Sequence, residues 1–256
     1  MMLGLFVAAC NQNSNPNAAP LPTSANPDAV RTQIAMTPPP PGFETVGFDP
    51  IDHNRDQLPS WHFEVTVNFE GHYTETGEDA TGSLVMEVWE DSVFRTRRVI
   101  LSFLGDALSG GITRVEAVRF ENDFYILDAN GICTRNNEAA QEIATLSAER
   151  LVGGVTLALP TGIAGDVNGY TGYQYAFSEE NLTIDIFRNA PSVVDVVGGE
   201  VWVLPEHNVV GRFGVSMNVH AAQILFGEQP VTGSLKYQYN LFDIGEAPNI
   251  ALPNGC

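Results

Sequence analysis

Basic side chains are scarce in this sequence. Lys236 is the only lysine, and 12 Lys and Arg residues face 31 Asp and Glu, for a net charge of -19 at pH 7. A surface that acidic repels phosphate backbones, which argues against nucleic-acid partners. It also offers no polybasic patch to anionic lipid headgroups, so attachment to a membrane has to come from a lipid or from apolar contact. Cysteine is scarce too. Cys10, Cys133 and Cys256 form no CxxC pair, which leaves zinc and dithiol redox chemistry without support. No apolar run reaches the roughly 20 residues that a membrane-spanning helix needs.

Signatures of catalysis are missing as well. There is no Walker loop, no GxGxxG and no HExxH among the five scattered histidines. The nearest approach to a nucleophile elbow, Gly214-Val215-Ser216-Met217-Asn218, lies inside an expected strand rather than at a strand-to-helix turn. Asp166-Val167-Asn168-Gly169 resembles a fragment of a calcium loop, but Phe177 stands where the bidentate glutamate belongs, so a turn is expected there. The chain is read as not an enzyme, with no cofactor and no metal.

What the chain does contain is an apolar start, a proline-rich stretch and a β-patterned remainder. Residues 1–10 read MMLGLFVAAC. An apolar run followed by small residues matches the end of a signal peptide. Val7-Ala8-Ala9-Cys10 resembles the bacterial lipobox, with Val7 where leucine is usual. That resemblance implies cleavage before Cys10, lipidation of its thiol and acylation of the new N-terminus. The alternative is a secretory signal with a chance cysteine. Residues 11–58 are rich in Asn, Pro, Ala, Ser and Thr and include the run Pro38-Pro39-Pro40-Pro41. Consecutive prolines favour extended polyproline II and donate no backbone hydrogen bonds. The segment is expected to be a disordered tether, at ~3 Å per residue in its stiff parts.

A β-rich domain is expected over residues 59–256. Trp61, Phe63, Val65, Val67 and Phe69 alternate with polar residues, the mark of a strand with one wet face. Further strands are expected at 83–89, 93–103, 112–120, 124–127, 171–177, 199–204, 209–220 and 233–241, with a loop over 160–169. Residues 137–152 form the best helix. Asn137 is placed to cap it, Ile143 and Leu146 lie on its apolar stripe, and Gly153-Gly154 ends it.

The second half resembles bacterial lipoproteins with the fold of the LolA/LolB carriers and the LppX/LprG group. The likeness rests on Asp166 to Tyr170, Tyr173 to Phe177, Glu179 to Leu182, Gly199 to Val203, Gly233 to Tyr239 and the close at Cys256. It implies an α+β fold that is mostly β: a curved antiparallel sheet, like an unclosed barrel, with one or two helices on its concave side. It also implies an apolar cavity between sheet and helices, with Phe63, Val65, Val67, Ile143 and Leu146 as candidate ligand-binding residues. The proline-rich residues 11–58 stand where the carriers have a long amphipathic helix. With Cys10 lipidated, Cys133 and Cys256 are left to pair as a disulfide in an oxidising compartment; two separate thiols are the alternative.

These expectations make the chain a lipoprotein of the cell envelope, held on the extracytoplasmic side of a membrane by its N-terminal lipid. Its expected function is to bind or carry a lipid, an acyl chain or another hydrophobic ligand. The alternative is a non-enzymatic structural or protein-interaction module.

Overall fold

The structure, a computed structural model, describes residues 41–256. The lipobox, Cys10 and most of the expected tether lie outside the described residues. Fourteen strands and two short helices follow. The strands are β1 (Val46–Phe48), β2 (Ser60–Tyr73), β3 (Asp79–Asp91), β4 (Thr96–Leu104), β5 (Arg114–Phe120), β6 (Asp123–Leu127) and β7 (Cys133–Arg135). Helices α1 (Glu138–Ala144) and α2 (Glu149–Val152) come next. Then run β8 (Gly154–Val167), β9 (Tyr170–Ala176), β10 (Leu182–Thr183), β11 (Phe187–Asn189), β12 (Val193–Leu204), β13 (Val209–Ile224) and β14 (Val231–Phe242).

Every pairing is antiparallel, in the order β1-β8-β9-β12-β13-β14-β2-β3-β4-β5-β6-β7, with β10 on β8 and β11 on β13. The sheet is curved and unclosed, as expected, and β1 and β7 are its free ends. Period-2 patterning sets which face is buried. Trp61, Phe63, Val65, Val67 and Phe69 of β2 point inward with Leu84, Met86 and Val88 of β3 and Leu235, Tyr237, Tyr239 and Leu241 of β14. Burying each large apolar side chain contributes roughly 1.5–3 kcal/mol.

The sequence-expected strands recur, generally longer. The expected loop at 160–169 is instead part of β8, which runs through Pro160 with a register shift before Ala164. Most side chains there are exposed, so no alternation betrays the strand. Asn168 (φ 56°) and Gly169 (φ 89°) make the two-residue turn into β9. Both positions need positive φ, which Asn and Gly tolerate best.

The single helix expected over 137–152 is two. Asn137 Oδ1 accepts from the Ala140 N–H at 2.7 Å and caps α1 as expected. The helix stops at Thr145, whose hydroxyl donates back to the Gln141 carbonyl at 2.9 Å. One residue on, the Leu146 carbonyl accepts from Arg97 Nη2 at 2.6 Å instead of from a helical amide. That buried guanidinium competes with the helix and wins. Gly153 (φ 66°) ends α2, where a Cβ would meet the Thr183 carbonyl at 2.0 Å.

The folded region also begins earlier than residue 59. Within the stretch assigned to the tether, β1 pairs with β8, and Phe48, Ile51 and Leu58 are buried in the main core. Pro50 and Pro59 break any periodicity there, so composition alone hides the burial.

Candidate functional site

Two places on the sheet are candidates: the inner face, where the sequence puts a cavity, and the outer face beneath the C-terminal residues.

On the inner face, Phe63, Val65 and Val67 have 0% accessible surface. A water-sized probe does not reach them, so these expected ligand-binding residues are packed core and line no open cavity. Phe63 lies against Trp61 and Tyr239, with ring centroids 5.4 and 5.5 Å away. Leu146 is also buried, and half-buried Ile143 packs with Ala117, Ile126, Ala140 and Ala144 over the β5–β6 end. The helix seals only that end.

The rest of the cover comes from two segments. Residues 46–58 insert Phe48, Ile51 and Leu58, and the Ile51 N–H donates to the Gly153 carbonyl at 3.1 Å. Residues 178–192 leave β9, pair with β8 and then with the end of β13, and bury Ile186 on the way. The two are tied together where the Thr183 hydroxyl donates to Asp49 Oδ2 at 3.0 Å.

One end of this interior is polar. Arg55 is buried over the faces of Trp61 and Phe63, at 4.2 and 4.6 Å, and pairs with Asp52 at 2.8 Å. Arg97 reaches Trp61 from 5.3 Å and donates to Glu90 at 2.5 Å, and Arg119 binds the other oxygen of Glu90 at 2.7 Å. Burial lowers the Arg97 pKa to about 10 despite Glu90. Charges this deep persist only because each is paired.

On the outer face, four neighbouring strands present a row of flat groups in register. Phe242, His62, Trp89 and Arg98 stand opposite one another along β14, β2, β3 and β4. His62 stacks on Trp89 with centroids 4.5 Å apart and planes 5° from parallel; Phe242 lies 5.4 Å from the other side of His62. The Arg98 guanidinium sits 5.6 Å from the Trp89 ring centroid.

Residues 243–256 run past this row as a strap. The Ile244 N–H donates to the Tyr170 hydroxyl at 2.8 Å, and the Gly245 N–H to the Ser60 carbonyl at 3.0 Å. At its far end Cys256 is joined to Cys133 of β7 in the expected disulfide, with Cα atoms 5.3 Å apart. Between strap and sheet is a pocket of about 320 Å³, lined by His62, Trp89, Arg98, Asp243, Glu246 and residues 247–250. Its size is near the lower limit for small-molecule sites. His62 Nδ1 lies 3.4 Å from Asp243, and Nε2 is buried without a hydrogen-bond partner. Burial pushes the His62 pKa below 6.5, and Asp243 opposes that shift. The sequence reading missed this pocket, because it joins residues about 180 positions apart that share no motif.

Among the described residues, no group of three His, Cys, Asp or Glu could hold a metal ion, and no helix is long and apolar enough to cross a membrane.

Comparison with known proteins adds little. No family model and no curated protein matches the chain. Among solved structures, a DUF1329 family protein from Desulfovibrio piger aligns over 77% of this chain and 95% of that one, at 11% identity and a TM-score of 0.24. A likeness at that score carries no argument about this chain.

Proposed function

We propose that this protein is a lipid-anchored component of the cell envelope whose β domain works by binding at its surface, as a non-enzymatic interaction module. The lipobox resemblance at Val7 to Cys10 supports the anchor. The observation that supports the rest is the complete burial of Phe63, Val65 and Val67, which no guest can touch while the cover over the inner face is in place.

Two measurements test it. Radiolabelled palmitate should enter the wild-type chain and not a Cys10→Ser variant, which should also leave the membrane fraction. The delipidated domain should yield no copurified lipid on solvent extraction and should not take up a fluorescent fatty acid. Saturable uptake of one acyl chain per protein would overturn the surface-binding reading.

A specific feature favours carriage as the second reading. The inner face is covered by peripheral segments with strands of only two or three residues, β1, β10 and β11, rather than by long helices. Such segments open locally at lower cost than central strands. Under this reading a lipid or acyl chain displaces residues 46–58 or 178–192 and lies against β2.

A further inference from the structure

The pocket beneath the C-terminal strap has a one-sided chemistry. Asp243 and Glu246 line it as acceptors. Its one cation, Arg98, binds Glu116 through Nε at 2.9 Å and Nη2 at 2.8 Å, and Arg114 reaches the other oxygen of that carboxylate at 3.3 Å, so the two lining carboxylates outnumber the one lining cation. His62 is held toward its neutral form by burial, so it does little to offset the two carboxylates. The pocket is therefore negative, on a molecule whose net charge of -19 already draws cations to its surface. Trp89, Pro248 and Ile250 add apolar wall, and the volume of about 320 Å³ suits a ligand of few atoms.

The cover is attached at its two ends. Beyond the bonds of Ile244 to Tyr170 and Gly245 to Ser60, the strap's backbone hydrogen bonds among the described residues are internal, from Glu246 to Asp243, from Ile250 to Pro248 and from Cys256 to Pro253. The Cys133–Cys256 bond is its far anchor. A segment held in this way can lift off the sheet without breaking any strand pairing.

We propose that this pocket binds a small organic ammonium, a primary amine on a short apolar stem, with the strap as its lid. The ammonium N–H groups donate to Asp243 and Glu246, and the stem lies against Trp89, Pro248 and Ile250. His62, whose Nε2 is buried without a hydrogen-bond partner, lines the same pocket. The proposal deepens the surface-binding reading and rests on it.

The test is a titration of the disulfide-intact full chain with n-butylammonium, with butyrate and butanol as controls for charge and size. Indole and imidazole NMR shifts and calorimetry give the readout. Butylammonium should bind saturably, and butyrate and butanol should not. Asp243→Asn should weaken amine binding by about tenfold or more, the loss expected for a charge-assisted hydrogen bond, with an unchanged thermal transition. Glu246→Gln, on the exposed strap, is the second variant and should weaken binding in the same direction. No saturable amine binding, an equal response to butyrate, or amine binding that survives both substitutions would overturn the proposal. Fatty-acid uptake reports on the interior alone. Failure of the amine titration without such uptake removes the ammonium site and leaves surface binding standing, whereas uptake removes surface binding itself.

Discussion

Residues 46–58 and 178–192 cover the inner face of the sheet, residues 243–256 cross its outer face, and the two covers are held by different forces. The inner cover buries Phe48, Ile51, Leu58 and Ile186 in the main core, each worth roughly 1.5–3 kcal/mol. The outer strap buries Pro253, half-buries Ile244, Pro248 and Ile250, and ends in a covalent bond to β7. A segment that inserts large side chains needs no staple. One that lies over a stacked aromatic row and a partly empty pocket inserts few side chains fully, and the disulfide holds its far end. The inner cover is therefore held by buried side chains, and the outer strap by a covalent bond at its far end.

The largest expected effects test the inner side of this contrast. Phe63→Ala removes a ring at the centre of the packed face and should cost about 3–5 kcal/mol in urea denaturation. Ile51→Ala should cost about 2–5 kcal/mol, because Ile51 is fully buried although it belongs to a stretch that composition marks as tether. A near-neutral Ile51→Ala would make residues 46–58 a loose flap and would favour carriage over surface binding.

The next effect belongs to the strap. Cys256→Ser should destabilise the protein by about 2–4 kcal/mol, below the chain-entropy ceiling of about 4–5 kcal/mol for a loop this long. Hydrogen exchange sharpens the comparison: protection should fall in residues 244–256 and stay unchanged at Ile51 and Ile186. Loss of protection in both covers would mean that they are not independent. A smaller effect concerns the helix that seals the β5–β6 end. Asn137→Ala deletes the cap on Ala140 and should cost about 0.5–2 kcal/mol, read as a lowered urea midpoint.

The sequence was most informative where one face of a strand is wet and the other buried. Trp61 to Phe69 and Phe213 to Val219 alternate without interruption, and both belong to strands whose apolar residues face inward. The helix cap at Asn137 and the turn at Asn168-Gly169 were legible because each depends on a residue type suited to one local task, whereas the Cys133–Cys256 pairing was expected only from the assignment of Cys10 to a lipid. The parts that escaped depend on tertiary partners. Ile51 and Leu58 look like isolated apolar residues among prolines until the fold buries both in the main core. The break at Thr145 needs Arg97, which lies 49 residues from the Leu146 carbonyl it binds. The inner cavity was expected from the likeness to the carriers alone; α1 covers only the β5–β6 end, and two non-helical segments supply the rest of the cover. The strap pocket had no local signature, because a cross-strand row and a returning C-terminus assemble it.

The smallest predicted effect separates the two covers through pH. Burial lowers the His62 pKa in the folded protein from the ordinary value of 6.5, and unfolding restores it. Between the folded value and 6.5 the unfolded chain therefore binds more protons than the native one, and stability rises with pH across that window. The contribution is fully present above 6.5, fades as pH falls, and levels off below the folded value. Asp243 lies 3.4 Å away and favours the imidazolium, so it reduces the shift without reversing it. Urea midpoints near pH 7.5 and pH 5.5 should thus differ more for the wild type than for His62→Gln, with the other titrating groups cancelling in the comparison. Cys256→Ser should reduce the same difference, because a freed strap returns water to His62. If freeing the strap leaves the histidine's pH dependence intact, the burial comes from Trp89 and Phe242 alone, and the strap is not the lid of that pocket.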